Sequence, residues 1–509
     1  ERAVIYLEIG CDRAGSAEQP ISSFLVLMRK ARQEMRRGAS RAAAITTANH
    51  IFNEAMCRAI SDLTMLVTDT EQGPYPYAGI PWYSTAFGRD ALITALQTLW
   101  LDPAIAGGVL SYLAYHQAQE FNPAADAEPG KILHEVRHGE MAELGEVPFR
   151  CYYGSVDSTP LFIMLAGAYL ERTGDLATVR RLWPNIEAGL GWIDRYGDRD
   201  GDGFVEYYRL TDSGLANQGW KDSHDSVFHA DGATAEGPIA LVEVQGYVYQ
   251  AKRAAAAIAR ALDRPDQARI LEAQAETLRK RIETIFWSEE LGSYALALDG
   301  AKRPCLVPSS NAGHLLLTGV PNDSRAGRVA EQLLGSSFFS GWGVRTIAAG
   351  SVRYNPMSYH NGSVWPHDNA LIGMGLARYG FKDEASRVLK GLFDASTYIE
   401  LRRLPELVCG FPRRRGQGPT FYPVACAPQA WSATALPSLL QSCLGIGFDP
   451  ANRVVTFDRP YVPPCLGEVV LRGLTLSGSR IDVVLRGQGD EVAMQVLGRS
   501  GPIRAILIT

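Results

Sequence analysis

The chain has 509 residues, of which 46% are hydrophobic and 21% charged, and its formal net charge at pH 7 is −5. This composition is ordinary for a globular protein, and the acidic balance argues against an electrostatic binder of nucleic acid. No apolar run approaches the roughly 20 residues that a membrane-spanning helix needs. We therefore expect a soluble protein whose ligand is neither a nucleic acid nor a membrane.

The first 40 residues differ in character from those that follow. They open with a strand-like apolar run, ERAVIYLEIG at 1–10. We interpret 1–40 as the remnant of an N-terminal β domain and a linker, with the rest of that domain missing. The eight cysteines are scattered without any CxxC pair, which excludes the usual zinc-ligand spacing. Sparse cysteines of this kind are typical of reduced thiols and predict a cytoplasmic setting.

Residues 41–445 predict a helical catalytic domain. Apolar residues at helical spacing predict twelve helices, at 41–68, 88–100, 103–120, 157–173, 175–196, 237–262, 265–287, 308–318, 324–334, 365–379, 382–397 and 427–444. The helix at 265–287 has one polar face, whereas its predecessor is apolar nearly all round. Such alternation of half-exposed and enclosed helices predicts two concentric rings of six, the (α/α)₆ toroid. Asp157, followed by Ser-Thr-Pro, offers an N-cap to one of these helices.

The last segment, 446–509, has a different pattern. Its short β-branched runs are separated by glycine turns and predict a small antiparallel sheet appended to the helical body. The expected fold class is therefore mainly α, a toroid with a C-terminal β segment and an N-terminal β remnant.

Long loops between the predicted helices combine Trp and Tyr with Asp, Arg and Asn. Flat aromatic faces cover the apolar face of a sugar ring, while carboxylates, Arg and Asn bind its hydroxyls. The loops with this composition are 78–91, 131–141, 151–160, 217–225, 354–371, 404–411 and 422–431. In a toroid they would converge on one mouth, and we expect a carbohydrate site there.

Glycoside hydrolysis needs one protonated and one ionised carboxyl group. Asp222 in NQGWKDSHD is the candidate acid, because Trp220 can exclude water from it and raise its pKa. Lys221 would oppose that shift, so we expect it to point away. Glu406 in LPELVCGF is the candidate base, although a capping or salt-bridged glutamate near Arg402 is an alternative interpretation.

Other polar residues allow more than one interpretation. Arg89 and Asp90 fit a clamp on sugar hydroxyls or an ion pair at a helix start. His367 and Asp368 follow a Trp-Pro pair, but a single His-Asp pair is a weak metal signal. Glu243 and Gln245 fit satisfied core polar groups better than catalysts.

The segment DRDGDGFVEYYR at 198–209 resembles a calcium loop in part. Acidic residues occupy the ligand positions 1, 3, 5 and 9, but position 12 is Arg209. A calcium ion or a carboxylate-rich turn both fit, and we expect no metal in the catalytic site. The four candidate calcium ligands are Asp198, Asp200, Asp202 and Glu206.

Six long motifs together resemble the bacterial amylo-α-1,6-glucosidases, or glycogen debranching enzyme-like proteins, over about 40–445. The wider group contains processing α-glucosidase, mannosylglycerate hydrolase, trehalase and glucoamylase. The motifs are AGIPWYSTAFGRDALITALQTLW, YYGSVDSTPLF, DRDGDGFVEY, NQGWKDSHDS, YHNGSVWPHDNALI and YPVACAPQAWSA. The resemblance implies an (α/α)₆ catalytic domain that hydrolyses α-glucosidic bonds with inversion, in an α-glucan or a small α-glucoside.

The resemblance also implies roles for individual residues. The general acid falls on Asp222 and the general base on Glu406, and Arg89 with Asp90 resembles the pair that grips the terminal glucose. Because Lys221 separates the acid from the tryptophan, Asp225 is an alternative acid. The predicted substrate contacts in full are Trp82, Arg89, Asp90, Asp157, Trp220, Lys221, Trp365, His367, Asp368 and Trp431.

The resemblance leaves the substrate open and implies a β-rich N-terminal domain. If that domain contributes a loop to the active site, the chain without it would be inactive. Hydrolysis of a disaccharide or of a glycosylglycerate is an alternative within the same chemistry. A non-catalytic glycan-binding toroid would not require two opposed carboxyl groups. A phosphorylase would replace Glu406 with a phosphate pocket, and the sequence favours a hydrolase for that reason.

Overall fold

The structure is a computed structural model that describes residues 24–488 and 491–509, so the strand predicted at 1–10 lies outside it. About 43% of the chain is helical and 17% is strand, which confirms the prediction of a mainly helical protein. The described α-helices are α1 (Phe24–Arg41), α2 (His50–Leu66), α3 (Gly88–Thr98), α4 (Pro103–Tyr115), α5 (Glu140–Glu143), α6 (Ser158–Thr173), α7 (Leu176–Trp192), α8 (Val242–Ala261), α9 (Pro265–Ile285), α10 (Asn311–Thr318), α11 (Asp323–Leu334), α12 (Pro366–Arg378), α13 (Lys382–Ser396), α14 (Ala430–Ala433) and α15 (Ala435–Leu444).

Six of these helices contact one another in a closed ring. Following the chain, α3 packs on α6, α6 on α8, α8 on α10, α10 on α12, α12 on α15, and α15 returns to α3. Ten of the 11 residues of α3 are buried, as an enclosed helix requires. By contrast, α9 packs on α8 and buries only one stripe at three- and four-residue spacing. The ring is therefore lined by apolar helices and flanked by amphipathic ones.

The twelve predicted helix segments each overlap an observed helix. The prediction was wrong in two places, at the start of the first helix and in the segment before it. Residues Ala44–Thr47, assigned to the first helix, form a strand, and α2 begins only after Asn49, whose side chain accepts hydrogen bonds from two backbone N–H groups of the first turn. Residues Phe24–Arg41, assigned to a linker, form α1.

The strands are mostly short. They are β1 (Ala44–Thr47), β2 (Val67–Thr70), β3 (Gly73–Pro76), β4 (Ala240–Leu241), β5 (Trp287–Ser288), β6 (Ser293–Tyr294), β7 (Ala297–Leu298), β8 (Ile446–Asp449), β9 (Val454–Asp458), β10 (Glu468–Leu476), β11 (Ser479–Gln488), β12 (Glu491–Ser500) and β13 (Arg504–Ile508). The C-terminal strands form two sheets, ordered β1-β10-β11-β12 and β13-β9-β8. The prediction of one antiparallel sheet was wrong in one respect, because β13 pairs parallel to β9 after the chain returns past three other strands.

Two further findings concern the chain as a whole. Among the described residues, no helix is both long and apolar enough to cross a membrane. The seven described cysteines are free thiols, and four of them are buried: Cys305, Cys409, Cys426 and Cys443.

The acidic loop at 198–206 surrounds the amine of a lysine. The Nζ atom of Lys302 lies 2.8 Å from Asp200, 2.9 Å from Asp202 and 2.7 Å from Glu206. Oxygens of Asp198, Asp200 and Asp202 lie within 4.8 Å of one another, as a cation site would need. Although burial opposes it, hydrogen bonds to these carboxylates raise the pKa of Lys302. We infer that the ammonium takes the place that a calcium ion would occupy.

We predict that Lys302→Met lowers the free energy of unfolding by about 1–3 kcal/mol, because the three carboxylates that pair with Lys302 then face one another without a cation. Calcium should restore part of the lost stability in this variant and leave the melting temperature of the unmodified protein unchanged. Thermal melts with calcium and with chelator measure both effects.

The matched control is Lys280→Met, because Lys280 is 72% exposed and lies 3.9 Å from Glu276. This variant should change the free energy of unfolding by no more than about 0.5 kcal/mol, with no response to calcium. A calcium-dependent rise in the melting temperature of the unmodified protein would contradict the assignment of Lys302.

Candidate active site

A small pocket lies at the N-terminal ends of several ring helices. Arg89 and Asp90 are in the first turn of α3, Trp365 precedes α12, and Trp431 is in α14. The pocket has a volume of about 220 Å³. Its lining residues are Tyr83, Phe87, Arg89, Asp90, His134, Glu135, Arg137, Phe149, Leu215, Trp220, Asp222, Tyr359, His360, Trp365, Glu406 and Trp431. It combines aromatic faces with charged and polar groups, as a sugar-binding site requires.

Close backbone contacts hold the segment of Glu406 against the neighbouring loop. Val364 and Val408 exchange two backbone hydrogen bonds, of 2.9 and 3.0 Å. A Cβ atom at Gly410 would lie 1.6 Å from the carbonyl oxygen of Gly362, so only glycine permits this approach. The contact brings Glu406 beside Tyr359, 47 residues earlier in the chain.

Asp222 lies in the pocket wall with 31% of its side chain exposed to the opening. Burial raises the pKa of this carboxyl to about 6, and the guanidinium of Arg89 opposes the rise. Arg89 Nη1 lies 3.5 Å from Asp222 Oδ2. Asp225, the alternative acid, is not among the lining residues, and its backbone carbonyl accepts hydrogen bonds from Arg353 and Asn361.

Glu406 is 2% exposed, and both of its carboxyl oxygens accept hydrogen bonds. The hydroxyl of Tyr359 donates to Oε1 at 2.5 Å, and the backbone N–H of Cys426 donates to Oε2 at 3.0 Å. Burial raises the pKa of Glu406 to about 7, whereas these two hydrogen bonds lower it. Burial thus raises the pKa of both Asp222 and Glu406 toward neutral pH.

Arg89 and Asp90 differ in their surroundings. Arg89 is 2% exposed, and its guanidinium contacts Asp157, Asp222 and the carbonyl of Gln218. Burial raises the pKa of Asp90 to about 8, although Arg89 opposes the rise. A carboxyl with this pKa is largely protonated at pH 7 and is suited to donate a hydrogen bond to a sugar hydroxyl.

Four predicted contact residues lie behind the pocket wall. Asp157 is 1% exposed and bonded to Arg89, and the amine of Lys221 donates to Asn311 and the carbonyl of Thr346. His367 stacks on Trp431 with ring centroids 3.7 Å apart, and Asp368 is bonded to His314. These residues support the lining residues from behind. Asp157 occupies the N-cap position of α6, as the sequence predicts, but its carboxylate bonds Arg89 instead of the helix backbone.

The mouth of the pocket carries Trp82 and Arg137. Trp82 is 56% exposed, and its indole N–H donates to the carbonyl of Val424 at 3.0 Å. Arg137 donates from Nε to Glu135 at 2.6 Å and from Nη1 to the carbonyl of Trp82 at 3.1 Å. Trp82, which is not itself a lining residue, is thus joined through its carbonyl to Arg137, which lines the pocket.

Nine lining residues were not singled out from the sequence: Tyr83, Phe87, His134, Glu135, Arg137, Phe149, Leu215, Tyr359 and His360. Some of them belong to loops of the expected composition, such as KILHEVRHGEM, but nothing in those loops distinguishes one side chain from its neighbours. Within the described residues, the only grouping suited to a metal ion is the Asp198 cluster, which is not part of this pocket.

Comparisons with solved structures show the fold. A sialidase matches with a TM-score of 0.66 at 12% identity, covering 92% of this chain and 41% of its own. The GH78 rhamnosidase of Bacillus sp. GL1 matches with a TM-score of 0.62 at 16% identity, covering 92% of this chain and 44% of the rhamnosidase. The chain thus spans less than half the length of these two proteins. The GH63 mannosylglycerate hydrolase of Thermus thermophilus, in complex with Tris, matches with a TM-score of 0.56 at 17% identity. The match covers 76% of this chain and 99% of the hydrolase.

Sequence comparison identifies the family. No curated protein matches the chain. The model of the mannosylglycerate hydrolase MGH1-like glycoside hydrolase domain matches residues 83–403, which is more than half of the chain. This range contains Asp222 and ends just before Glu406. The chain therefore belongs to the MGH1-like family of glycoside hydrolases.

Proposed function

We propose that the chain is an inverting α-glycosidase with Asp222 as general acid and Glu406 as general base. The observation that carries the proposal is the presence of two carboxyl groups, from residues 184 positions apart (406 − 222), in one pocket of about 220 Å³. This volume is below the roughly 300–1,000 Å³ of pockets for drug-sized ligands and suits a single sugar residue. The closed helix ring, flanked by α2, α4, α7, α9, α11 and α13, supports an (α/α)₆ toroid as its scaffold.

The hydrogen bonds of Glu406 support its role as the base. Two donors, Tyr359 and the Cys426 amide, point at its oxygens, an arrangement that suits an ionised carboxylate. Each oxygen retains a lone pair for water. In the mechanism, Glu406 takes a proton from the water that attacks the anomeric carbon from the face opposite the leaving group.

The pKa of Glu406, about 7, is higher than that of Asp222, about 6. A general acid should have the higher pKa of the pair, so this order is the reverse of the one that the proposed roles require. The hydrogen bonds of Glu406 favour it as the base all the same, and a bound sugar changes the environments of the two carboxyl groups unequally. Asp222 has 31% of its side chain open to the pocket, whereas Glu406 is already 2% exposed. Substrate therefore removes water mainly from Asp222 and raises its pKa, so the proton that the pair shares moves to the acid.

The exposed aromatic group at the mouth supports a glucan leaving group. The indole of Trp82 is fixed by its hydrogen bond to Val424, and its face is free to stack on a second sugar. Phe421 and Val424 are also more than half exposed. Together with the motif resemblance, this platform favours an α-1,6-glucosidase of the debranching type, acting on the terminal glucose of a branch.

Arg137 favours a second substrate. Its guanidinium lines the pocket and is 34% exposed in its side chain, and Nη2 has no partner among the residues that the structure describes. An anionic leaving group, such as the glycerate of a glycosylglycerate, would bind there by charge and hydrogen bonds. The family name, mannosylglycerate hydrolase MGH1-like, agrees with this alternative.

We predict that Asp222→Asn lowers kcat on an α-1,6-linked gluco-oligosaccharide roughly 10²–10⁴-fold. On α-glucosyl fluoride the loss should be within about tenfold, because fluoride leaves without being protonated. Glu406→Gln should lose roughly 10²–10⁴-fold on both substrates, because each needs an activated water. Steady-state kinetics and thermal melts of both variants provide the measurement.

Asp225→Asn is the matched comparison, since Asp225 lies three residues further along the same loop but outside the pocket lining. It should retain near-normal kinetics on both substrates. Retention of oligosaccharide hydrolysis by Asp222→Asn, with loss of it in Asp225→Asn, would transfer the acid role to Asp225.

Two variants at the mouth distinguish the substrates. Trp82→Ala keeps the backbone carbonyl that holds Arg137, so it removes the platform alone. If the substrate is a glucan, this variant should lower kcat/KM for the α-1,6-linked oligosaccharide roughly tenfold, the value of one lost stacking contact of ~1.4 kcal/mol.

Arg137→Met should then have a smaller effect on the oligosaccharide than Trp82→Ala. If the leaving group is anionic, Arg137→Met should instead reduce kcat/KM for a glycosylglycerate by roughly tenfold or more, with Arg137→Lys retaining part of it. The debranching assignment fails if the unmodified protein prefers the glycosylglycerate and Trp82→Ala is neutral on both substrates.

A further inference from the structure

Asp157 is the charged residue closest to Arg89, yet it has no place in the pocket lining. It is 1% exposed, and its Oδ2 lies 2.7 Å from Arg89 Nε. Its Oδ1 accepts a hydrogen bond of 2.6 Å from the hydroxyl of Ser155. Both oxygens are therefore engaged by the protein. This residue stands immediately before α6, where an aspartate usually caps the helix, but it makes no side-chain bond to the helix backbone.

Arg89 connects this buried aspartate to the candidate acid. Its three guanidinium nitrogens contact Asp157, Asp222 and the carbonyl of Gln218, at 2.7, 3.5 and 3.2 Å respectively. These contacts use three of the five guanidinium N–H groups of Arg89. One positive charge is thus shared unequally between two carboxylates, and the closer contact belongs to Asp157.

We propose that Asp157 is a positioning residue that acts through Arg89 to keep the general acid Asp222 protonated and correctly oriented. The proposal rests on the proposed function, in which Asp222 supplies the proton. Its structural basis is the series of contacts Ser155–Asp157–Arg89–Asp222, in which Arg89 and Asp222 line the pocket and Asp157 does not.

The charges of Asp157, Arg89 and Asp222 agree with this role. Arg89 alone would stabilise the ionised form of Asp222 and deprive it of its proton. The negative charge of Asp157 draws the guanidinium to itself and adds repulsion toward a second carboxylate, and both effects raise the pKa of Asp222. The other groups that face Asp222 through the pocket are Asp90, Glu135, Glu406, Tyr83 and Tyr359.

The position of Asp157 places its carboxylate among favourable partners. The N-terminus of α6 carries a partial positive charge from the helix dipole, which favours an anion there. The hydroxyl of Ser155 and the guanidinium of Arg89 both donate to it. A helix N-terminus, a hydroxyl and a guanidinium therefore all face the Asp157 carboxylate.

The test is the pH profile of kcat for Asp157→Asn. This change keeps the size of the side chain and removes its charge, so Arg89 is left to stabilise ionised Asp222. The alkaline limb of the profile, which reports loss of the acid's proton, should move down by about one pH unit. Above that limb kcat should fall roughly tenfold, while KM changes less than about twofold. The acid limb, set by Glu406, should stay in place.

Asp157→Glu is the conservative comparison, because it keeps the charge. Its alkaline limb should remain near that of the unmodified protein, even if its melting temperature falls. Asp299→Asn controls for loss of a buried charge elsewhere, since Asp299 is 1% exposed and pairs with Arg303. It should lower stability and leave both limbs unchanged. If Asp157→Asn does not fold, Asp157→Ser removes the same charge and should show the same shift.

The outcomes separate this inference from the proposed function. If Asp222→Asn still hydrolyses the oligosaccharide, the assignment of the acid fails, and this inference fails with it. If Asp222→Asn is inactive while Asp157→Asn keeps its alkaline limb in place, Asp157 is only a structural counter-ion of Arg89. A shift of the alkaline limb of Asp157→Asn to higher pH would also contradict the proposed role. It would mean that Asp157 stabilises the ionised form of Asp222 in the unmodified protein.

Discussion

Burial of the Arg89 guanidinium between two carboxylates is the interaction on which the site depends. A charge that is 2% exposed would be costly unless it were paired and hydrogen-bonded, and here Asp157 and Asp222 lie 2.7 and 3.5 Å from it. The pair joins the first turn of α3, the start of α6 and the loop that carries Asp222. Elements far apart in sequence are thereby fixed around one pocket, and the environment of the acid is set by a contact that substrate never touches.

The floor of the pocket has the opposite character from its walls. Trp220, Trp365 and Trp431 pack against His360 and His367 in stacked and edge-to-face pairs, with His367 and Trp431 centroids 3.7 Å apart. Burial lowers the pKa of both histidines well below its usual value, so the floor is uncharged at neutral pH. An apolar, uncharged floor beneath charged walls strengthens the electrostatic interactions of the two carboxyl groups with a positive transition state.

Sequence reasoning located the helices and the two carboxyl candidates but not the contacts between them. Periodicity identifies an enclosed helix because burial acts on every turn, so α8 and α9 were distinguishable before the structure. The strand at Ala44–Thr47 was missed because its partner, β10, lies more than 400 residues later. Arg137 and Tyr359 were missed for a similar reason, since a polar side chain in a loop becomes a site residue only through long-range packing. Asp157 was predicted to cap its helix, because a local sequence pattern cannot reveal that its partner is the distant Arg89.

The most direct test of the account is proton NMR of the sugar released in the first minutes of hydrolysis of an α-1,6-linked gluco-oligosaccharide. A single displacement, with Glu406 activating water and Asp222 protonating the leaving oxygen, predicts β-glucose as the first product, before mutarotation. Initial release of α-glucose would contradict the account, because it would mean a covalent intermediate and a nucleophile in place of the general base.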